Sequence, residues 1–132
     1  MRVLVDTSVW SLSLRKGGPS DHPGVRKLAL LIENNEDIVL IGVILQEVLQ
    51  AFRDEGTFRK VATRLDPMLL LDLTREDYVA AARLHRRCAS HGIAVSTVDC
   101  QIASAAIRHN CALLTVDKDF EQIKSVSALK LV

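Results

Sequence analysis

The chain has 132 residues, of which 48% are hydrophobic, and this is enough apolar material for one packed domain spanning residues 1–132. Its 17 basic and 16 acidic residues give a net charge of +1, so any contact with nucleic acid must use a local patch and not bulk charge. No apolar run reaches the roughly 18 residues of a membrane span, and three cysteines fit no disulfide framework, so we expect a cytoplasmic protein without membrane contacts.

Short apolar runs that suit buried strands alternate with helical patterns along the chain. The predicted strands are 3–5, 38–41, 68–71, 112–115 and a short edge strand at 129–132. Helices are predicted at 25–33, 43–54, 57–66, 74–90 and 96–110. Continuous apolar strands joined by helices are typical of a parallel sheet that is covered on both faces. The sequence therefore predicts an α/β fold with three layers, α/β/α, around a central parallel sheet of four to five strands.

Acidic residues follow two of the predicted strands. Asp6 comes directly after the first strand, Asp117 lies two residues beyond the fourth, and Asp119 lies two further on. Ligands of open parallel sheets bind at the carboxyl ends of the strands, so these side chains are expected at one edge. Each of them could instead act only as a turn former or a helix N-cap.

Two further acidic residues lie on predicted helices. Glu47 borders the apolar arc of the helix after the second strand, although a boundary glutamate is often only a surface residue. Asp99 lies on the midline of an apolar stripe at the start of its helix, so its carboxylate is expected to face the sheet. The alternative for Asp99 is a capping box with Ser96.

Together, Asp6, Glu47, Asp99 and Asp117 are predicted at the same edge of the sheet. Two ionised carboxylates about 4 Å apart repel by roughly 4 kcal/mol at an effective dielectric constant near 20. Such a group requires protonation or a hard divalent cation, Mg²⁺ or Mn²⁺, which prefers oxygen ligands. A cation held in this way suits phosphodiester hydrolysis, and the absence of a Gly-rich phosphate loop argues against nucleotide-dependent chemistry.

These features resemble the PIN-domain ribonucleases and, within them, the VapC toxins of toxin–antitoxin pairs. The resemblance covers nearly the whole chain and is carried by residues 3–8, by Glu47, by Asp99 with residues 102–106, and by residues 113–120. It implies an Mg²⁺- or Mn²⁺-dependent endoribonuclease. In that enzyme the catalytic residues would be Asp6, Glu47, Asp99 and Asp117, and Asp6, Asp99 and Asp117 would hold the metal. Ser8 and Asp119 would support them, and whether Asp117 or Asp119 is the fourth acidic residue stays open.

The resemblance also implies the partners of the protein. These are an RNA substrate, a second copy in a homodimer, and a VapB-type antitoxin that inserts a segment into a groove and contacts operator DNA. Helices 25–32 and 43–52 could form such a groove, although core packing alone would also explain their apolar residues. Candidate RNA contacts, which could equally be solvated helix faces, are Arg15, Lys16, Arg53, Arg59, Lys60 and Arg64.

Two other functions compete with this prediction. A phosphotransferase of the haloacid dehalogenase type would use Asp6 as a nucleophile, but Ser8 stands where that family has a second aspartate. A non-catalytic binding protein on the same fold would bind the metal without cleaving RNA. The sequence does not reveal which RNA is cut or whether one or two metal ions act.

Overall fold

A computed structural model describes residues 1–15 and 17–132 as a parallel sheet flanked by helices. The strands are β1 (Arg2–Val5), β2 (Asp37–Ile41), β3 (Leu69–Leu71) and β4 (Ala112–Leu114), in the spatial order β3-β2-β1-β4. The helices are α1 (Thr7–Ser13), α2 (Pro23–Glu33), α3 (Gly42–Gln50), α4 (Glu55–Leu65), α5 (Arg75–Ser90), α6 (Thr97–Arg108) and α7 (Asp119–Ser125). All three strand pairings are parallel, which confirms the predicted α/β class.

The two central strands are buried on both faces, as their apolar sequences predict. Val3, Leu4 and Val5 of β1 are completely inaccessible to solvent, and the β2 segment 38–41 is buried throughout. Because β1 lies between β2 and β4, the chain leaves the middle of the sheet directly at Asp6. The first acidic residue is therefore placed at the centre of the carboxyl edge.

The predicted fifth strand is reduced to a single parallel bridge beside β4, between Leu113 and Leu131. The backbone N–H of Leu113 donates to the carbonyl of Lys130 at 2.8 Å, and that of Val132 donates to the carbonyl of Leu113 at 3.0 Å. The end of the chain thus covers the edge of β4, and the sheet has four strands.

The boundary between α3 and α4 differs from the prediction. Helix α3 ends at Gln50 and not at Asp54, and the N-cap of α4 is Asp54 and not Thr57. Oδ2 of Asp54 accepts hydrogen bonds from the backbone N–H of Thr57 at 2.8 Å and from its hydroxyl at 2.9 Å. An aspartate before the first turn satisfies a free helix N–H in this way, so the helix begins earlier than the glycine at position 56 suggested.

Helices α5 and α6 are joined by a buried carboxylate at the end of the sheet away from Asp6. Oδ1 of Asp77 lies 2.8 Å from Nε of Arg108 and 3.2 Å from Nε2 of His109, and Asp77 forms a capping box with Thr74. Burial acts to raise the pKa of Asp77, but the bonds from Thr74, Arg108 and His109 outweigh it and lower that pKa to about 2. At the other end of α5, Gly92 follows the C-cap residue His91 and adopts the left-handed conformation, with φ of +72°.

The three cysteines, Cys88, Cys100 and Cys111, are free and buried. Burial raises the pKa of all three thiols, to about 11 for Cys100. Among the described residues, no helix is both long and apolar enough to cross a membrane.

Candidate metal and catalytic site

Asp6 lies at the N-cap position of α1, but its side chain does not cap that helix. Oδ2 of Asp6 instead accepts hydrogen bonds from the hydroxyl of Ser8 at 2.6 Å and from the hydroxyl of Thr115 at 2.9 Å. The side chain is only 5% exposed. The interpretation of Asp6 as a capping residue alone is therefore wrong, because its carboxylate is fixed by groups outside the helix end.

The backbone after β4 sets the direction of both hydroxyls. The N–H of Val116 donates to Oγ of Ser8 at 3.3 Å, and the N–H of Asp117 donates to Oγ1 of Thr115 at 3.0 Å. Each hydroxyl accepts from the backbone and gives its own hydrogen to Asp6. Within residues 1–15 and 17–132, Oδ1 of Asp6 receives no hydrogen bond and is left with its lone pairs free.

Three other carboxylates converge beside Asp6. One oxygen from each of Asp99, Asp117 and Asp119 lies within 4.8 Å of the other two. The N–H of Asp119, the first residue of α7, donates to Oδ1 of Asp117 at 2.9 Å, so a tight turn holds these two side chains together. The structure thus places both Asp117 and Asp119 in one group, whereas Asp6 lies outside this mutual set.

The environment of Asp99 disfavours its charged form. Burial raises the pKa of Asp99, the charges of Asp117 and Asp6 raise it further, and hydrogen bonds with Ser96 act in the opposite direction. Oγ of Ser96 also accepts the N–H of Asp99 at 3.0 Å and caps α6. Ser96 therefore supplies the cap of α6. The carboxylate of Asp99 lies in the electrostatic field of Asp117 and Asp6.

Glu47 is tied to the start of α1. The hydroxyl of Thr7 donates to Oε1 of Glu47 at 2.8 Å, and the side chain is partly buried. Since Thr7 directly follows Asp6, this bond positions the glutamate of α3 near the end of β1. Glu47 does not belong to the group of three mutually close carboxylates. Its bond to Thr7 instead places it next to that group, at the same edge of the sheet.

Helix α2 contributes no acidic ligand but touches the loop that does. A Cβ placed on Gly24 would lie 2.6 Å from Cγ1 of Val116, which is closer than real Cβ contacts. Val116 directly precedes Asp117. The absence of a side chain at Gly24 thus allows α2 to pack directly against the segment that carries two of the carboxylates.

The predicted basic residues are not all together. Arg15 and Arg53 line a groove of 660 Å³ between α1, α3 and the start of α4, whose apolar wall includes Trp10, Val48 and Phe52. Arg59 forms an exposed ion pair with Glu55 at 3.2 Å on its own helix. Lys60 and Arg64 are exposed on α4 and do not line the groove, and Lys16 lies outside the described residues.

Thr7 and Thr115 are the two site residues that sequence reasoning did not identify. The signal for Thr115 was the strand register. Val5 pairs with Leu114, so the next residues, Asp6 and Thr115, leave neighbouring strands side by side. Thr7 has no comparable signal, because its hydroxyl meets a residue 40 positions away on another helix.

The donor set of this edge fits a hard divalent cation. Every side chain that converges there offers oxygen, and the clustered carboxylates favour a positive ion because their own charges repel. Asp99, Asp117 and Asp119 would supply ligand atoms, with Oδ1 of Asp6 beside them. Mg²⁺ and Mn²⁺ prefer such ligands, whereas zinc sites are built mainly from cysteine and histidine.

Known proteins of similar sequence and structure identify the family of the chain. The PIN domain family matches residues 3–126 of the chain. The chain is 30% identical to the ribonuclease VapC11 of Mycobacterium tuberculosis over 130 residues, which cover 97% of this chain and 96% of the relative. The structure is similar to that of VapBC2 from Rickettsia felis bound to a DNA fragment from its promoter, with a TM-score of 0.79, 22% identity, and coverage of 100% and 98%.

A second structural neighbour is VapC20 of M. tuberculosis, described as a toxin that cleaves the sarcin-ricin loop. Its TM-score is 0.66, its identity 16%, and the match covers 90% of this chain and 92% of that one. The resemblance drawn from the sequence is confirmed by the family match and by the identity to a curated ribonuclease. The chain therefore belongs to the PIN domain family and, within it, to the VapC ribonucleases.

Proposed function

We propose that this protein is a metal-dependent endoribonuclease and the toxin of a VapBC-type pair. One observation carries the proposal: the carboxylates of Asp99, Asp117 and Asp119 converge beside the fixed carboxylate of Asp6 in a chain related to VapC ribonucleases. Because the chain belongs to the VapC ribonucleases, a phosphotransferase of the haloacid dehalogenase type is disfavoured. The hydroxyls of Ser8 and Thr115 hold one oxygen of Asp6 and leave the other for a ligand, an arrangement that suits a metal site.

The acidic residues at the carboxyl edge of the sheet have two different roles in this proposal. Asp6, Asp99, Asp117 and Asp119 hold the cation, and both candidates for the last acidic position take part. A bound Mg²⁺ or Mn²⁺ supplies a water of lowered pKa and neutralises charge on the phosphate. Glu47, which Thr7 orients, lies to one side and accepts a proton at its carboxylate during hydrolysis.

Ser8 and Thr115 are positioning residues. Their hydroxyls connect the backbone after β4 to the carboxylate at the end of β1. The position of Asp6 relative to the segment after β4 is therefore fixed. Groups that orient ligands in this way typically change metal affinity or activity by about 10- to 100-fold when removed. We assign them no direct contact with RNA.

The groove between α1, α3 and the start of α4 is the proposed site for the antitoxin, and helix α2, which the sequence suggested as a second wall, does not line it within the described residues. The groove has an apolar wall formed by Trp10, Val48 and Phe52, and Val48 directly follows Glu47. A VapB-type segment that lies in this groove would cover the approach to the acidic residues. Operator DNA would then be bound through the antitoxin, and the toxin would act as a homodimer.

Cleavage of total cellular RNA tests the nuclease function. The purified chain is incubated with Mg²⁺, with Mn²⁺ or with EDTA, and the Asp99→Asn variant is treated in parallel. Discrete fragments that require metal and are absent with the variant would support the proposal. Identical products from both proteins, or metal binding without cleavage of any RNA, would contradict it, and the second result would indicate the non-catalytic binding protein.

A further inference from the structure

A second concave surface lies at the end of the sheet away from the carboxylates. It has a volume of 480 Å³ and is formed where β1 and β4 begin and where the last residues of the chain cover β4. Its walls include Arg2, His109, Asn110 and Lys130. We call this surface the basic pocket, and it has no part in the site described above.

The lining of the basic pocket is positively charged. Within the described residues, no carboxylate lines it, and neither Arg2 nor Lys130 forms an ion pair. Burial raises the pKa of Cys111 and the charge of Arg2 opposes that rise, which places the guanidinium toward this wall. Asp37 is the neighbour of Arg2 on β2, but the two are not paired.

The other nearby carboxylates are already neutralised. Asp77 holds Arg108 and His109 at 2.8 Å and 3.2 Å, so its charge is balanced within that cluster. Glu36 binds the amino group of Met1 at 2.7 Å. An anion in the pocket would therefore meet Arg2 and Lys130, and Asp37, opposite Arg2 on β2, is the nearby carboxylate that forms no ion pair within the described residues.

We propose that the basic pocket binds a phosphate group of the RNA substrate at a distance from the cut, an inference that rests on the ribonuclease function proposed above. A guanidinium and an ammonium on one concave surface suit a phosphate oxyanion. Asp6 lies four positions after Arg2, about 13 Å along the strand at roughly 3.3 Å per residue. A single RNA chain can span this distance and contact both places.

Filter binding in EDTA tests the inference without cleavage. The Asp99→Asn protein, with and without Arg2→Gln and Lys130→Gln, is mixed with labelled total cellular RNA at several salt concentrations. The control carries Arg26→Gln and Lys124→Gln, two exposed residues on α2 and α7 that lose the same charge. Because both pocket side chains are exposed and unpaired, their removal is expected to leave folding intact.

We expect the dependence of log K on log salt for cellular RNA to become shallower by about 0.7 to 0.9 only in the pocket variant, since the contact to one phosphate is lost. Equal slopes for the pocket variant and the control, or no binding of cellular RNA, would overturn the inference.

A second arm separates RNA phosphate from a free anion. Inorganic phosphate is titrated into the wild-type protein while the amide signals of Cys111 and Ala112 are followed by NMR. Shifts there without any effect of the pocket variant on RNA binding would mean that the pocket takes small anions, and the RNA inference would be wrong. The cleavage experiment fails or succeeds independently, because no binding measurement here depends on hydrolysis.

Discussion

Thr115 donates a hydrogen bond to Oδ2 of Asp6 at 2.9 Å, although 109 positions separate the two residues in the sequence. The same Thr115 oxygen accepts the backbone N–H of Asp117 at 3.0 Å. One hydroxyl thus connects the first acidic residue of the chain to the loop that carries the last two. This hydroxyl therefore fixes the position of Asp6 relative to Asp117.

Replacement of Thr115 by valine should impair the metal site without unfolding the protein. Valine has nearly the same shape but cannot donate to Asp6 or accept from Asp117. We expect the Mg²⁺ concentration for half-maximal RNA cleavage to rise about 10- to 100-fold, as for other groups that orient metal ligands. A titration of cleavage rate against Mg²⁺, with circular dichroism to check folding, measures this change.

Thr115→Ser is the matched control, because it retains the hydroxyl. It should require nearly the wild-type concentration of Mg²⁺. If the serine and valine variants need the same concentration of Mg²⁺, the hydroxyl of Thr115 does not orient Asp6.

Asp117 and Asp119 should both contribute to cation binding. Since their oxygens lie within 4.8 Å of each other and of Asp99, loss of either charge removes a ligand. We expect Asp117→Asn and Asp119→Asn each to weaken Mn²⁺ binding by roughly tenfold or more in calorimetry, on the order of 1.4 kcal/mol. The exposed Glu121→Gln on α7 is the control, and a wild-type affinity in Asp119→Asn would leave Asp117 as the fourth acidic residue.

The raised pKa of Asp99 predicts how the folding stability of the metal-free protein changes with pH. A carboxyl whose pKa is higher in the folded than in the unfolded chain retains its proton longer when folded, so ionisation destabilises the fold as pH rises above about 4. Asp99→Asn should therefore melt at a higher temperature than wild type at pH 7 in EDTA. The difference should shrink below about pH 4 and after Mg²⁺ is added to the wild type.

Asp77 gives the opposite dependence on pH. Its pKa of about 2 in the folded chain is below the unfolded value near 3.9, so its stabilisation is present at neutral pH and is lost as the pH falls from about 4 toward 2. Asp77→Asn should cost about 2 kcal/mol at pH 7 and little at pH 2. Urea unfolding at both pH values measures it, and an equal cost at each would contradict the ionic explanation.

The proposed antitoxin groove can be blocked at Ala51. This residue is exposed on the groove wall at the end of α3, so Ala51→Glu would place a charged side chain in the space that an apolar segment needs. We expect affinity for the cognate VapB-type antitoxin to fall at least about tenfold in calorimetry. Ala29→Glu, on the exposed face of α2, is the control, and equal affinities would place the antitoxin elsewhere.

The strands and the shared edge were predictable from the sequence because they follow from simple patterns. Continuous apolar runs gave β1, β2 and β4 to within about one residue, and the carboxyl ends of parallel strands must lie together. The position of Asp99 on an apolar stripe likewise indicated the direction of its carboxylate. These inferences need only periodicity and topology.

Features that depend on individual side-chain hydrogen bonds were not predictable. The start of α4 was missed because Asp54, and not Thr57, satisfies the free N–H of the first turn. The roles of Thr7 and Thr115 depend on where two hydroxyls point after helices and strands have packed. A hydroxyl can serve as a cap, a turn or a bridge, and sequence spacing alone does not distinguish these uses.

The contact between Gly24 and Val116 means that the precision of the acidic edge depends on a helix that contributes no ligand. A Cβ at position 24 would lie 2.6 Å from Cγ1 of Val116, so even alanine, an ordinary helix residue, would force Val116 or α2 to move. The packing of α2 against the segment that carries Asp117 and Asp119 therefore requires that residue 24 has no side chain.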